Sequence, residues 1–352
     1  MRSFLLLIII AALAAGGYIF FIGNKETETE TDRDSGNKPV YVQKYDAKDY
    51  EGAYAAAKKT IEKEQKPEDP GPYCIAALSG LELGKNQEAE TFARTLISLP
   101  FRKKPSAQKI ALQLGRNFYK RFVSQAEPNK DFWVITRDLL GIGLYAKPKD
   151  VNEVIAKIEK LNQTIEFSDE ILKGTVRYAI QKGENLRSIG KKFKTNGSMI
   201  ARINGIENIH VVHAGQTIKI VPGGNYTVII DKSRFNLTMY RDGIYIKSYR
   251  VGIGKEGEET PTGETQITTR QIRPPWTRIG KPAVKYGDPE YPLGERWMSF
   301  DKKNFAHYGI HGTDDDSTVG KKSSNGCVRL TNPDVIELYD LITIGTKVII
   351  QE

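Results

Sequence analysis

The sequence predicts a multidomain chain: one apolar N-terminal helix that spans a membrane, an all-α region, a small α+β module, and a mostly-β domain at the C-terminal end. Three observations carry this: an uncharged apolar run from Phe4 to Ile22, helical spacing of alanines and aliphatics from Ala47 to about Lys160, and β-rich runs from Tyr226 onward. A chain of 352 residues should hold two or three domains, and 39% hydrophobic content supports proper cores. The 52 basic and 43 acidic residues give a formal charge of +9. Those charges are scattered, with no basic helix and no aromatic RNA motif, so nucleic acid is not the expected partner. The balance suits an anionic envelope, or simply aids solubility. Cys74 and Cys327 fall in different domains, so a disulfide framework is not expected. Cys74 reads as a packing residue in a helical apolar pattern, which leaves Cys327 free.

Residues 1–23 read as a signal anchor. At about 1.5 Å per residue the run nearly spans a hydrocarbon core of about 30 Å. Arg2 precedes it and Glu26, Glu28 and Glu30 follow, which favours an inside N-terminus and places the rest outside the cytoplasm, anchored in the cell envelope on its periplasmic or cell-wall side. A cleaved signal is the alternative, because Ala12-Leu13-Ala14 resembles a small-residue cleavage site, although apolar residues continue from Tyr18 to Ile22. Residues 24–45, rich in Glu and Thr, read as a solvated linker.

Residues 46–165 form the expected helical domain. Ala53, Ala56, Ala57 and Ile61 share one face, as do Ala89, Ala93, Leu96 and Ile97, while Pro70, Gly84 and Pro100 punctuate the pattern. Tyr73 to Pro100 resembles a tetratricopeptide-type hairpin with Gly84 at its turn. One such unit cannot bury its own face, so Asp49 to Lys66 and Ser106 to Val123 must stack on it. A generic bundle fits the pattern equally. The region reads as a spacer or as a surface for a protein partner.

Residues 175–222 carry Tyr178-x-Ile180-x-x-Gly183-Glu-Asn-Leu186, then Ile189, Phe193, Ile200 and Asn204, and finally Gly215-Gln-Thr-Ile218-Lys-Ile220-Val-Pro222. This run resembles a LysM module. The residues alone predict a short strand to Ile180, a helix capped by Asn185, a second short helix near Ile200 and a closing strand. The resemblance implies binding of N-acetylglucosamine-containing glycans, and places Gly183, Glu184, Asn185, Leu186, Gly205 and Ile206 near the sugar.

Residues 225–352 hold the chemistry. Leu237 to Tyr240 and Ile244 to Val251 are β-rich runs flanking Arg241-Asp242-Gly243, and Asp-Gly is a strong hairpin signal. His307-Tyr-Gly-Ile-His311-Gly-Thr313 is followed, after a polar turn-rich spacer, by Ser323-Ser-Asn-Gly326-Cys327-Val-Arg329-Leu330. A cysteine accepts acyl groups as its thiolate, and a neighbouring imidazole can take the thiol proton. The spacing of His307 and His311 would suit metal ligands on a helix, but Gly309 and Gly312 interrupt that window and nothing completes a zinc set. Neither a metal nor a cofactor is expected.

These residues, with Gly252-Ile-Gly254, Thr260-Pro-Thr-Gly263 and Pro292-Leu-Gly-Glu-Arg-Trp297, resemble the YkuD-type L,D-transpeptidases. The one departure is Asn325, where many members carry a second histidine. The resemblance implies a mostly antiparallel β-sandwich that acts on peptidoglycan stem peptides. It makes Cys327 the nucleophile and His311 the base, with the Gly312 carbonyl orienting the imidazole and the backbone N–H groups near Gly326 and Cys327 binding the oxyanion. Arg329 would share a face with the thiol and either bind a carboxylate or hold the cysteine loop. Ser324, Asn325, Tyr308 and Trp297 are expected to line the substrate. Arg270 to Asp301, with five prolines, reads as a lid or substrate wall. An amine acceptor gives cell-wall cross-linking, water gives an L,D-carboxypeptidase, and a protein lysine gives an attaching transferase. A non-catalytic peptidoglycan scaffold is the reading from another class, separated by whether Cys327 alkylates well below its free pKa.

Overall fold

The structure, a computed structural model, describes residues 38–352 except 65–67, 99–100 and 279–280. The expected membrane helix at 1–23 lies outside the described residues. Among the described residues no helix is long and apolar enough to cross a membrane. The longest, Pro105–Phe122, carries Lys109, Arg116, Lys120 and Arg121. For the described residues the fold class is therefore corrected to a helical region, a small α+β module and a mostly-β domain, with no spanning helix among them. The expected linker at 24–45 also ends early, because Val40-Tyr-Val starts a helix that buries Tyr41 and Val42.

The chain divides into two compact units at Ile110/Ala111. In the first, α1 (Val40–Asp46), α2 (Tyr50–Lys63), α3 (Pro70–Glu82) and α4 (Asn86–Ile97) bury Ala53, Ala57, Ile75 and Ala76 in a common core. Asp49 starts α2 by accepting the Gly52 N–H, and Pro70 opens α3 where no intrahelical donor is needed. Gly84, at φ +73°, reverses the chain between α3 and α4. Gly80 lies so near Ala89 that a Cβ on it would sit 3.4 Å from the Ala89 Cβ. Small residues thus permit the close crossing. Cys74 is fully buried in α3, a packing position.

The helix α5 (Pro105–Phe122) leads into the second unit, which continues with α6 (Trp133–Gly143) and α7 (Val151–Ile165). Next comes the small module: β1 (Val176–Ala179), α8 (Leu186–Lys192), α9 (Gly197–Ile203) and β2 (Thr217–Ile220), with β1 and β2 antiparallel. Asn185 and Ser188 form a reciprocal capping box at the start of α8.

The β domain contains β3 (Tyr226–Asp231), β4 (Asn236–Arg241), β5 (Ile244–Arg250), β6 (Ile253–Gly254), β7 (Gly263–Ile272), β8 (Trp276–Arg278), β9 (Lys281–Val284), β10 (Arg296–Phe300), α10 (Lys302–Phe305), β11 (Gly309–His311), β12 (Lys322–Ser324), β13 (Val328–Arg329), α11 (Asn332–Leu341) and β14 (Lys347–Gln351). Asp242 and Gly243, both at positive φ, turn β4 into β5 as the Asp-Gly signal predicts. Eight strands form one sheet in the order β13-β11-β10-β7-β14-β3-β4-β5, with β11/β13 and β14/β3 parallel. This differs from two stacked antiparallel sheets. The reason is β7, whose first half pairs with β14 and whose second half pairs with β10, joining what would be separate layers. Alternate residues Met298, Ile310, Val328, Val348, Val228 and Met239 point into one core. The helix α11 covers that core with Val335, Leu338 and Leu341, each worth about 1.5–3 kcal/mol on burial.

The parts of the second unit interlock. Met199, Ile203 and Val221 of the small module belong to the β-domain core. Buried Glu166 takes Arg137 from α6 and Arg241 from β4 at 2.7 and 2.6 Å. Lys219 of β2, 1% exposed, donates its ammonium protons to the carbonyls of Thr164, Ile165 and Ser168 at the end of α7.

Candidate active site

The two motif strands that carry the thiol and the imidazole lie side by side. In the parallel pair β11/β13, Ile310 faces Val328 and His311 faces Arg329. Ile310 and Val328 enter the core, so His311 and Arg329 share the other face, and Cys327, two residues before Arg329, joins them. Trp297 of β10 pairs with His311, and Gln271 of β7 pairs with Trp297, extending the row on that face. These side chains line one cavity of ≈ 430 Å³.

His311 is 3% exposed, and its Nδ1 lies 2.6 Å from the Gly312 carbonyl. A carbonyl only accepts, so Nδ1 carries the proton and Nε2 is the free base. The Trp297 ring stacks on the imidazole at 5.7 Å and 29°. Burial holds the His311 pKa down to about 4, helped by the Arg329 charge and opposed by the Gly312 contact. Burial likewise pushes the Cys327 thiol up, only partly offset by the Gly309 backbone and Arg329. Burial of both groups favours a neutral thiol and a neutral imidazole at rest, an arrangement in which slow alkylation at low pH does not by itself mark a scaffold. The thiol donates to the His307 carbonyl at 3.7 Å, and His307 sits at φ +71°.

The cysteine loop is held from several sides. Ser324 donates its hydroxyl to the Cys327 carbonyl at 2.6 Å and accepts the Gly326 N–H at 3.1 Å. Gly326 adopts φ +100°, and a Cβ there would meet Tyr308 Cε1 at 2.2 Å. Tyr308 therefore packs beneath Gly326 and against the core. Gly252 and Arg329 exchange backbone hydrogen bonds at 2.8 Å each, and Thr260 accepts the Gly254 N–H. The glycine and threonine motifs upstream thus brace the catalytic strand. Asn332 accepts the Glu295 N–H and donates to Asp314, next to the position a Cβ on Gly312 would occupy.

Of the expected substrate residues, Ser324, Asn325 and Trp297 line the cavity together with Cys327, His311 and Arg329. The proline-rich segment expected to be a lid or substrate wall lines the same cavity through Pro274, Pro275, Trp276, Thr277, Pro292 and Leu293. Val284, Tyr291 and Leu293 give it a small core of its own. Arg273 grips Glu295 through two 2.8 Å bonds, and Tyr286 adds a third; with Arg273 first, these hold the Glu295 carboxyl down to about 2. Gln271 escaped notice in the sequence, since only strand register brings it to the site. In the small module, Leu186 is buried, Glu184 accepts from Tyr178 and the Gln181 N–H, Asn185 caps α8, and Gly183 takes φ +84°. Gly205 and Ile206 line a different hollow. Among the described residues no group of three or more His, Cys, Asp or Glu could hold a metal.

A buried imidazole oriented by a carbonyl, beside a thiol at the mouth of a parallel strand pair, defines a cysteine acyltransferase centre. Residues 225–350 match the model of the L,D-transpeptidase catalytic domain and residues 178–221 that of the LysM domain. The chain is 34% identical over 177 residues to a Bacillus licheniformis protein named as L,D-transpeptidase YkuD, covering 49% of this chain and 96% of that one. It is 38% identical over 134 residues to Bacillus subtilis YqjB, named as an L,D-transpeptidase, covering 38% and 74%. Bacillus subtilis YkuD, named likewise, is 32% identical over 179 residues, covering 49% and 97%. The chain belongs to the L,D-transpeptidase family, as a cysteine acyltransferase with an attached LysM domain.

Proposed function

We propose that this enzyme cross-links peptidoglycan by cutting the L-centre to D-alanine bond of a stem tetrapeptide and passing the acyl group to an amine on another stem. The observation that carries the reading is the shared face of Cys327, His311 and Arg329 in one cavity. His311 Nε2 takes the thiol proton as sulfur attacks the carbonyl, and returns it to the departing D-alanine nitrogen. The acceptor amine then attacks the thioester, giving its proton back through His311 to the sulfur. Because the Gly326 N–H is committed to Ser324, the oxyanion role rests on the Cys327 N–H. The buried Arg329 Nε has no hydrogen-bond partner among the described residues, which supports carboxylate binding over a loop-holding role.

The LysM domain holds the same polymer and keeps the enzyme at the cell wall, raising local substrate concentration. The helical hairpin of α3 and α4, tetratricopeptide-like in its small-residue crossing, serves as scaffold or partner surface. The test is incubation of the protein with disaccharide-tetrapeptide and mass spectrometry beside Cys327→Ala. Cross-linked dimers made by the unmodified protein alone are expected. Tripeptide without dimers would replace transfer by hydrolysis, and identical products from both proteins would sink the catalytic reading.

A further inference from the structure

A second hollow, of ≈ 530 Å³, lies between the LysM domain and the catalytic sheet. Its catalytic wall is Ile272 of β7 with its partner Arg296 of β10. That pair is next along the ribbon from Gln271 and Trp297, which line the active-site cavity, so the two hollows open on opposite faces of the same two strands. The LysM wall is Ile206 and Ile209, from the loop after α9. Ile272 and Ile209 are left 59% and 41% exposed, an apolar lining with nothing on it. Beside them Arg296 keeps a buried Nε with no hydrogen-bond partner among the described residues.

The hollow has fixed walls. Arg202 of α9 donates twice to one carboxylate oxygen of Asp340 on α11, at 3.0 and 2.7 Å. Asn196 reaches the Tyr339 and Ile342 carbonyls, and Met199 and Ile203 are buried in the catalytic core. A pre-formed cleft that sets three isoleucines beside Arg202, Arg296, Glu207 and Asp340 fits a ligand with apolar C–H faces and polar groups that both donate and accept.

Resting on the peptidoglycan reading above, we infer that this crevice is a composite glycan subsite: it holds the N-acetylated aminosugar strand whose stem peptide enters the active site on the other side of β7 and β10. The route is short because Ile272 ends β7 and its partner Arg296 begins β10, so the stem rounds the end of the ribbon and does not cross the sheet. The LysM domain thereby sets which stem is cut, in addition to tethering the enzyme. Ile272 distinguishes this from binding by the LysM domain alone, because it belongs to the catalytic sheet.

The test titrates peptide-free glycan oligosaccharides into the full chain carrying Cys327→Ala, by calorimetry, alone and with Ile209→Asp, Ile272→Asp or Ile272→Ser. Both positions of change carry exposed side chains, and a thermal melt confirms that each of the three variants is folded. Each is expected to weaken binding by about tenfold. Full affinity in both folded Ile272 variants would overturn the composite site even if Ile209→Asp binds poorly, and so would a parent that binds no glycan. Turnover of the short disaccharide-tetrapeptide by the unsubstituted protein is followed separately. Cys327-dependent product there, with Ile272 variants that bind normally, removes the crevice and leaves the transpeptidase reading standing.

Discussion

Replacing Gly326 by alanine tests the geometry of the thiol through its neighbour. The residue sits at φ +100°, and an added Cβ would stand 2.2 Å from Tyr308 Cε1, where ordinary contact begins at 3.4 Å. Holding a residue with a side chain in such a conformation costs about 1–3 kcal/mol, and relieving the overlap requires a shift of about 1 Å on top of that. Tyr308 packs against the domain core, so the cysteine loop is the part that yields. A displacement of about 1 Å at a reacting atom costs on the order of a hundredfold in rate. Gly326→Ala should therefore lose about 2–4 kcal/mol in urea unfolding, and release D-alanine from tetrapeptide about a hundredfold more slowly. Tyr308→Ala in the same chain removes the overlap and leaves the backbone term. The double variant should then be more stable than the sum of the single losses predicts, by about 1 kcal/mol or more. Strict additivity, or a Gly326→Ala enzyme with unchanged rate and stability, would refute the assigned contact.

Three further outcomes follow from the site. Iodoacetamide should label Cys327 slowly near neutral pH and faster as pH rises past the ordinary thiol range, since burial favours the protonated form; a fast rate that is flat from pH 5 to 8 would contradict a neutral resting pair. His311 is held down to about 4 in the fold by burial against about 6.5 unfolded, so its contribution is complete above pH 6.5 and is lost as pH falls toward 4. Between pH 7 and 5 that loss amounts to about 2 kcal/mol, and urea unfolding of His311→Gln should lack it; an equal slope in both proteins would remove the buried-imidazole account. Trimming Thr277 to Pro289 takes away Val284 from the lid core and the Tyr286 bond to Glu295, and should raise the donor KM about tenfold or more while circular dichroism stays unchanged; unaltered kinetics would show that the lid does not touch the donor.

The contacts around His311 and Cys327 were within reach of the sequence because the motifs that carry the family resemblance are local in the chain. His311 and Gly312 are adjacent, as are Gly326 and Cys327, and a carbonyl that accepts from the neighbouring imidazole needs no long-range pairing. The Asp242-Gly243 turn was legible for the same reason, since positive φ at two successive residues selects those side chains. What escaped were consequences of register and sheet order. Gln271 reaches the cavity only because β7 pairs with β10 at one register, and a shift of one residue would send Ile272 there in its place. Glu184, Asn185 and Leu186 were assigned to sugar by resemblance. Their local bonding uses them to build the module: a carboxylate on Gln181 and Tyr178, a helix cap, and a core side chain.

The least legible feature is the tie between modules, and it changes what the modules can do. A tethered glycan-binding domain raises local concentration but does not choose among stems, because its linker averages over positions. Here Lys219 spends its ammonium on three carbonyls of the preceding helical segment. Glu166 answers arginines from α6 and β4, and LysM residues complete the catalytic core. Burying a lysine and a carboxylate is costly unless every partner is in place, which makes such groups poor stabilisers but strict selectors of a single arrangement. The sequence shows each as an ordinary charged residue, because partners 29 to 75 positions away supply the meaning. A LysM domain set in one orientation can present a chosen stem to Cys327, and that is why Ile272, on the catalytic side of the crevice, is the residue on which this view stands or falls.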